Sequence, residues 1–418
     1  MNKRNLWRAM IATAAAAVLV APLASCSSSA GADGDVTIEI FQNKTEAIAT
    51  VDQLIAEFHK THPKITVKQT SVQDSVTVLK SRLAKGNVPD VIALNISAYY
   101  DLAQGGLLAD LSKTDAFKAV SDTASLDYVK EAGQTDQELA IPWATNAQLV
   151  FYNIDQYTKY GLTPPTTWDQ FLANAKAVKD AGGQPFSFGW KDPWSAMALT
   201  NSLVASSKPT DLLSQLQRGK TTFAKQPQWR EATKQMLQLK DYAQPDAWGS
   251  NYDSSLASFA NGDSAMYVDG TWSIPAIRKA NPDLKLGAFV MPSPDPEFAT
   301  KMPGGPDSFL SISKDSQHPK EAEEFLDFLM SAPVQKTYTD QQSLFSVRSD
   351  VASDDPLLAG IKTDWIDAGK TATYSDGMFA GGSQYQAINW TYLNSGDQAA
   401  YLSALDKDFG TYGLKSHQ

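Results

Sequence analysis

Val36-Thr37-Ile38-Glu39-Ile40-Phe41, then Ala47, Val51, Leu54, Ile55 and Phe58, then Ile65-Thr66-Val67: these three successive stretches carry different periods, and the difference decides the fold class. The first alternates apolar and polar side chains with period two, as a half-buried strand does. The second repeats at helical spacing and stops before Pro63, which cannot continue a helix. The third is a β-branched run short enough for a strand. A strand, a crossing helix and a second strand make a β-α-β unit, and such units imply a parallel sheet with right-handed crossovers.

Outward from that unit the alternation continues. Residues 74–85 read as a helix closed by Gly86, and Val91-Ile92-Ala93-Leu94 as a third strand. Gln148–Ile154 reads as a strand, and Trp168–Ala181 as a helix with Thr166 or Thr167 at its cap. A short strand ends at Phe188. Ala265–Val268 and Leu284–Val290 are further strands, and Glu321–Met330 and Val334–Gln341 further helices. No repeat or long low-complexity linker divides the chain. The class is therefore α/β.

Composition limits the function. Of the 418 residues, 43% are hydrophobic and 20% charged, which suits a globular protein with a large core. The net charge is −10, and it is more negative by three without Lys3, Arg4 and Arg8. An acidic body argues against nucleic acid or anionic lipid as a partner, since both reward clustered Lys and Arg. Ten tryptophans and fifteen tyrosines recur in loops beside Asp, Asn and Gly. Aromatic faces with polar neighbours suit a sugar, whose C–H face stacks while its hydroxyls hydrogen-bond; aromatic residues also build ordinary cores.

Five segments, in order, carry a family resemblance. They are Val88-Pro89-Asp90-Val91 with Asp101–Leu111; Ala140-Ile141-Pro142-Trp143 with Phe151-Tyr152-Asn153; Pro164-Pro165-Thr166-Thr167-Trp168; Phe259-Ala260-Asn261-Gly262 with Ala265–Trp272; and Gly304-Gly305 with Ile312-Ser313-Lys314. Together, from about Val36 to Tyr338, they resemble the family 1 extracellular solute-binding proteins. The resemblance implies a two-lobed, periplasmic-binding-protein-like α/β fold with a hinge and an inter-lobe ligand cleft. Lobe one would hold 36–145 and 304–345, and lobe two 146–303 and 346–418. It also implies a monomer that takes a carbohydrate, expected to be an oligosaccharide, and hands it to ABC permease subunits driven by a separate ATPase. No cofactor is implied.

Ligands of open α/β sheets sit beyond the carboxyl ends of strands. That rule and the resemblance single out the same positions. After the first strand come Asn43 and Glu46, with Lys44 the weaker candidate; after the third, Asn95 and Ser97. Trp143 and Asn146 lie at the first crossing between lobes, where Trp143 either lines the hinge or meets ligand. Trp190 and Trp194 flank Lys191-Asp192-Pro193, and one of the two is expected to face the cleft. Asp269 either caps the helix that follows or contacts a hydroxyl. Trp272 is the stacking platform the resemblance implies, with Gly270 permitting a tight turn before it. Trp390, in the less recognisable tail, would offer a second stacking surface.

The N-terminus reads separately. Lys3, Arg4 and Arg8 precede an apolar run from Ala9 to Ala24, shorter than the roughly 20 residues a span needs. Small residues follow, so residues 1–25 read as a secretory signal, with an uncleaved signal anchor as the alternative. Leu23-Ala24-Ser25-Cys26 resembles the bacterial lipobox, and Cys26 is the only cysteine. By that resemblance Cys26 is acylated, giving the two-chain anchoring that holds a protein stably on a membrane. Residues 26–35 would be a flexible tether to the extracytoplasmic face of the cell membrane.

Catalytic motifs are lacking. His59 and His62 end a helix without the H-E-x-x-H arrangement, so no metal is assigned. No G-x-S-x-G occurs. A secreted carbohydrate-active hydrolase or lyase is the competing class, needing two carboxylates about 5–10 Å apart, drawn from Glu46, Asp253 and Asp269. A non-transport sugar sensor on the same fold is a third possibility. The reading adopted is a binding protein without catalytic residues.

Overall fold

The computed structural model describes residues 34–72 and 75–415. Cys26, the apolar run and residues 27–33 of the tether lie outside them, as does the side chain of Ser97. The described residues form nine strands: β1 Val36–Gln42, β2 Ile65–Ser71, β3 Val91–Leu94, β4 Ile141–Asn153, β5 Gln184–Phe186, β6 Ser264–Gly270, β7 Leu286–Phe289, β8 Met302–Ile312 and β9 Thr371–Ala372. Their order is β2-β1-β3-β8-β4-β6-β5, with β7 also on β4 and β9 on β8.

The opening unit folds as its periods require. β1 pairs in parallel with β2 and β3, and the intervening helix, Ile48–Thr61, buries Val51, Leu54 and Phe58 against the sheet. At the centre of the sheet the expectation of parallel pairing is corrected: β3–β8, β4–β8, β4–β6 and β4–β7 are antiparallel, while β5–β6 and β8–β9 are parallel. The cause is topological. β4 leads the chain away from the first core and β8 brings it back alongside, so the two must run in opposite directions.

β4 also starts seven residues before the stretch its alternation marks. Pro142 argues against a strand because it lacks a ladder donor. The structure accommodates it with register irregularities between Pro142 and Thr145. The first half of β4 pairs with β8 and the second half with β6 and β7.

The apolar core divides along this strand. Two clusters draw on residues 38–144 and 309–347; two others draw on 147–302 and 345–405. Trp143 and Ala144 belong to the first group, while Ala147, Leu149 and Phe151 belong to the second. Two cores joined by long shared strands form two lobes with a cleft between them. Among the described residues no helix is long and apolar enough to cross a membrane.

Candidate functional site

A cleft of about 160 Å³ lies where β4 and β8 pass between the cores. Asn95 and Ile96, after β3, bound it on one side. Trp194, Met197, Ala198 and Asn201, from the helix Pro193–Val204, bound it on the other, with Trp272 after β6. Asn146 and Gln148 of β4, Pro306 and Asp307 of β8, and Tyr128, Tyr374 and Asp376 complete it.

Hydrogen bonds link these walls. Lys44 Nζ donates to Asp307 Oδ2 at 2.6 Å, and Asn146 Nδ2 donates to Asp307 Oδ1 at 2.8 Å. The Tyr374 hydroxyl donates to Asn146 Oδ1 at 2.7 Å. On the far wall Asn201 Nδ2 donates to Asp376 Oδ1 at 2.8 Å and accepts from the Ser375 N–H at 3.0 Å. Burial alone would lower the Lys44 ammonium, yet Asp307, helped by Tyr338 and Glu46, holds it above its ordinary range. Burial raises the Asp376 carboxyl, a tendency that the Asn201 bond opposes.

One polar atom stands out. Gln148 is 2% exposed and lines the cleft, and its Oε1 has no hydrogen-bond partner among the described residues. Leaving a buried acceptor unmet costs about 1–3 kcal/mol. A donor arriving from a ligand would remove that cost.

Trp272 reaches the cleft through a local device different from the expected one. Gly270 has an ordinary φ of −98°, so left-handed backbone is not its purpose. A Cβ built there would lie 1.9 Å from Trp272 Cζ3, so the indole rests directly on the glycine backbone. Trp272 itself sits in the 3-10 turn Thr271–Ser273, half-buried, ahead of the helix Ile274–Ala280.

Of the positions singled out from sequence, Asn95, Asn146, Trp194 and Trp272 line this cleft together. Asn95 is also a cap, its Oδ1 accepting from the Ala98 N–H at 3.3 Å. Trp194 leans on Tyr252, with ring centroids 5.2 Å apart. Trp143 is instead buried in the first core, stacked on Tyr338 at 4.0 Å. Trp190, 1% exposed, stacks on Phe188 and accepts the Trp390 Nε1–H on its carbonyl. Trp390 packs edge-on against Trp248. Asn43 is half-buried and Glu46 exposed, 3.6 Å from Lys44, and neither lines the cleft. Lys44, the weaker candidate, is buried because Asp307 neutralises it.

Asp269 is 1% exposed and caps no helix; its Oδ1 accepts from the Gly270 N–H at 2.8 Å. Burial pushes its carboxyl up to about 7, against bonds from Gly270, Tyr267 and Ser273 and with a further rise from Glu46. Tyr128, Gln148, Met197, Asn201, Asp307, Tyr374 and Asp376 were not singled out. One signal for two of them was available: Trp194, Met197, Ala198 and Asn201 fall at i, i+3, i+4 and i+7, one face of a helix.

The model of the bacterial extracellular solute-binding protein family matches residues 42–336. The chain belongs to this family. Its members are solute-binding proteins, not enzymes. A multiple sugar-binding protein of Streptococcus mutans is 29% identical over 337 residues, covering 77% of this chain and 78% of its own. An uncharacterised lipoprotein from the oleD 5′ region of Streptomyces antibioticus is 28% identical, covering 76% and 72%. Among solved structures, the solute-binding protein RafE in complex with raffinose superposes with a TM-score of 0.76 at 26% identity, covering 90% of this chain and 98% of that one.

Proposed function

We propose that this extracellular solute-binding protein captures a neutral carbohydrate in the cleft by closure of its two lobes and delivers it to an ABC permease powered by a separate ATPase. The observation that carries the reading is that Trp272 and Gln148 line one cleft, with Gln148 Oε1 a buried acceptor without a partner among the described residues. A sugar supplies both an apolar C–H face and hydroxyl donors. The similarity to a multiple sugar-binding protein and to RafE with raffinose supports the same class. None of the described residues lining the cleft is basic, which favours a ligand without negative charge.

Lobe one is taken as 36–145 with 304–345, and lobe two as 146–303 with 346–418; the division of the apolar clusters supports this. Contacts from both lobes would bind the closed form better than the open one, which is what a ligand needs to shift that equilibrium. Asn43, Glu46, Ser97, Trp143, Trp190, Asp269 and Trp390 would act around the site, as hinge, support or outer contacts. The protein is read as a monomer held at the extracytoplasmic face of the cell membrane by acyl chains on Cys26, after removal of residues 1–25. The lipobox resemblance and the lipoprotein relative support that anchor.

A thermal-shift screen of neutral mono- to tetrasaccharides, raffinose among them, tests the reading. A ligand at about 100 times its dissociation constant stabilises by about 2.7 kcal/mol. Small-angle scattering with the best sugar should show a smaller radius of gyration. A panel without any shift would remove carbohydrate from the account, and an unchanged radius at saturation would remove closure.

A further inference from the structure

Tyr374 and Asp376 reach the cleft from a loop, residues 373–378, that follows β9 and ends in the 3-10 turn Asp376–Met378. A loop that presents two cleft side chains takes its order from its ties to firmer parts of the fold. Asn201 supplies two ties at its middle, to Asp376 and to the Ser375 N–H. The near end is tied by Lys208, four residues past the helix Pro193–Val204. Its Nζ donates to the Thr373 carbonyl at 2.8 Å and to Thr373 Oγ1 at 3.4 Å. Lys208 does not line the cleft itself, so any effect it has there passes through Thr373.

The surroundings of Lys208 make that tie sensitive to charge. A cavity of about 70 Å³ beside it is lined by Tyr128 and Glu131 of the helix Thr123–Gly133 and, opposite, by Thr373, Tyr374 and Gly377. A Cβ built on Gly377 would lie 2.3 Å from the Tyr128 hydroxyl oxygen, so the loop backbone rests directly against that helix. Asp376 and Glu131 are the carboxylates that face the Lys208 ammonium, and Lys301, between β7 and β8, is the cation that opposes it. Burial lowers the ammonium to about 8, against the pull of Asp376 and Glu131 and with a further fall from Lys301. Burial, with Asp376 next, pushes the Tyr128 and Tyr374 hydroxyls upward, so both stay protonated where Lys208 titrates. A bond from an ammonium is stronger than the same bond from a neutral amine.

We propose that Lys208 is a positioning residue for the ligand site: its charged ammonium pins the Thr373 end of the loop, and with it Tyr374 and Asp376, so that loss of the proton loosens this wall and weakens binding at alkaline pH. Tyr374 carries the effect across the cleft, because its hydroxyl donates to Asn146 on β4.

Hydrogen–deuterium exchange on the full chain without ligand reads the loop directly. The reporters are the Ser375, Met378 and Phe379 N–H groups, bonded to Asn201, Ser375 and Asp376. At pH 7, Lys208→Met should lower their protection about tenfold, the lower end of what a bond to a charged group contributes. Lys208→Arg keeps a charge that does not titrate and should keep the protection at both pH 7 and pH 9.5. In the parent, protection of these amides relative to those of β6 should fall between the same two pH values, a readout that needs no variant to fold. Calorimetry with raffinose adds a functional arm, which rests on the carbohydrate reading. Parent affinity should drop about threefold from pH 7 to pH 9.5, the Lys208→Arg affinity should stay level, and Lys208→Met should be weaker at both. Unchanged protection in Lys208→Met, or equal loss in both variants with no pH dependence in the parent, overturns the positioning role. Raffinose that fails to bind the parent counts against the carbohydrate reading instead, and exchange alone then decides Lys208.

Discussion

Replacing Lys44 with Met should be among the more costly single changes in the first lobe. Lys44 and Asp307 are 9% and 8% exposed, with Nζ and Oδ2 2.6 Å apart. At an effective dielectric near 20 their attraction is about 6 kcal/mol. Desolvating each ion costs several kcal/mol, so the intact pair is close to neutral for stability. Breaking it is different. Lys44→Met keeps the apolar stem but strands a buried carboxylate, a loss of roughly 3–5 kcal/mol. Asn146 Nδ2 still donates to Asp307, so the lower end of that range is expected. Adding Asp307→Asn removes the stranded charge and should recover at least about 1 kcal/mol, in the range of coupling between contacting residues. Urea unfolding of the two single variants, the double variant and the parent at pH 7 gives the cycle. A cost under about 1 kcal/mol, or a cycle with no coupling, would refute the reasoning.

Other predictions follow from the same site. Between about pH 4 and 7 the folded chain keeps a proton on Asp269, at about 7, that the unfolded chain releases near 3.8, so this group's contribution weakens as pH rises. The unfolding free energy of Asp269→Asn, relative to the parent, should therefore climb by about 2–3 kcal/mol from pH 5 to 8; a flat difference would count against it. Gly270→Ala puts a Cβ where Trp272 Cζ3 lies, so the indole must swing away. Sugar affinity should drop about as far as on losing the ring, with an overpacking cost of about 1–3 kcal/mol; unchanged calorimetric affinity would contradict this. Cys26→Ser should abolish acyl labelling and release the protein into the medium, and retention at the membrane would remove the anchor.

Much of the first lobe was legible because its signals are local. Val36–Phe41 and Ala47–Phe58 have clean periods; the strand-end rule reached Asn95, and the lobe crossing that the resemblance implies reached Asn146. β4 was read only in part, since Pro142 is a strand breaker until an irregular register absorbs it. The antiparallel pairing of β4 with β8 joins residues about 160 positions apart, and no local period reports such a contact. Trp143 and Trp190 look like Trp194 in composition and setting; only packing on Tyr338 and Phe188 separates core rings from cleft rings. Asp307 and Asp376 were hidden for a related reason. Each draws its role from a partner far along the chain, Lys44 or Asn201, and an isolated Asp in the sequence carries no sign of that partner.

The central claim is that a sugar lies against Trp272 in the cleft between the lobes. It is tested most directly by measuring ligand affinity and unfolding on the same Trp272→Ala protein, with the tightest-binding saccharide of the panel. Loss of a stacking face should cost about 1–3 kcal/mol of binding, as truncating a contact tryptophan does. That is roughly a 5- to 150-fold weaker affinity, with Trp272→Phe losing less. Because the ring is half-buried on the cleft wall, the unfolding midpoint should stay near that of the parent. A lowered midpoint with unchanged affinity would make Trp272 a packing residue and contradict the account.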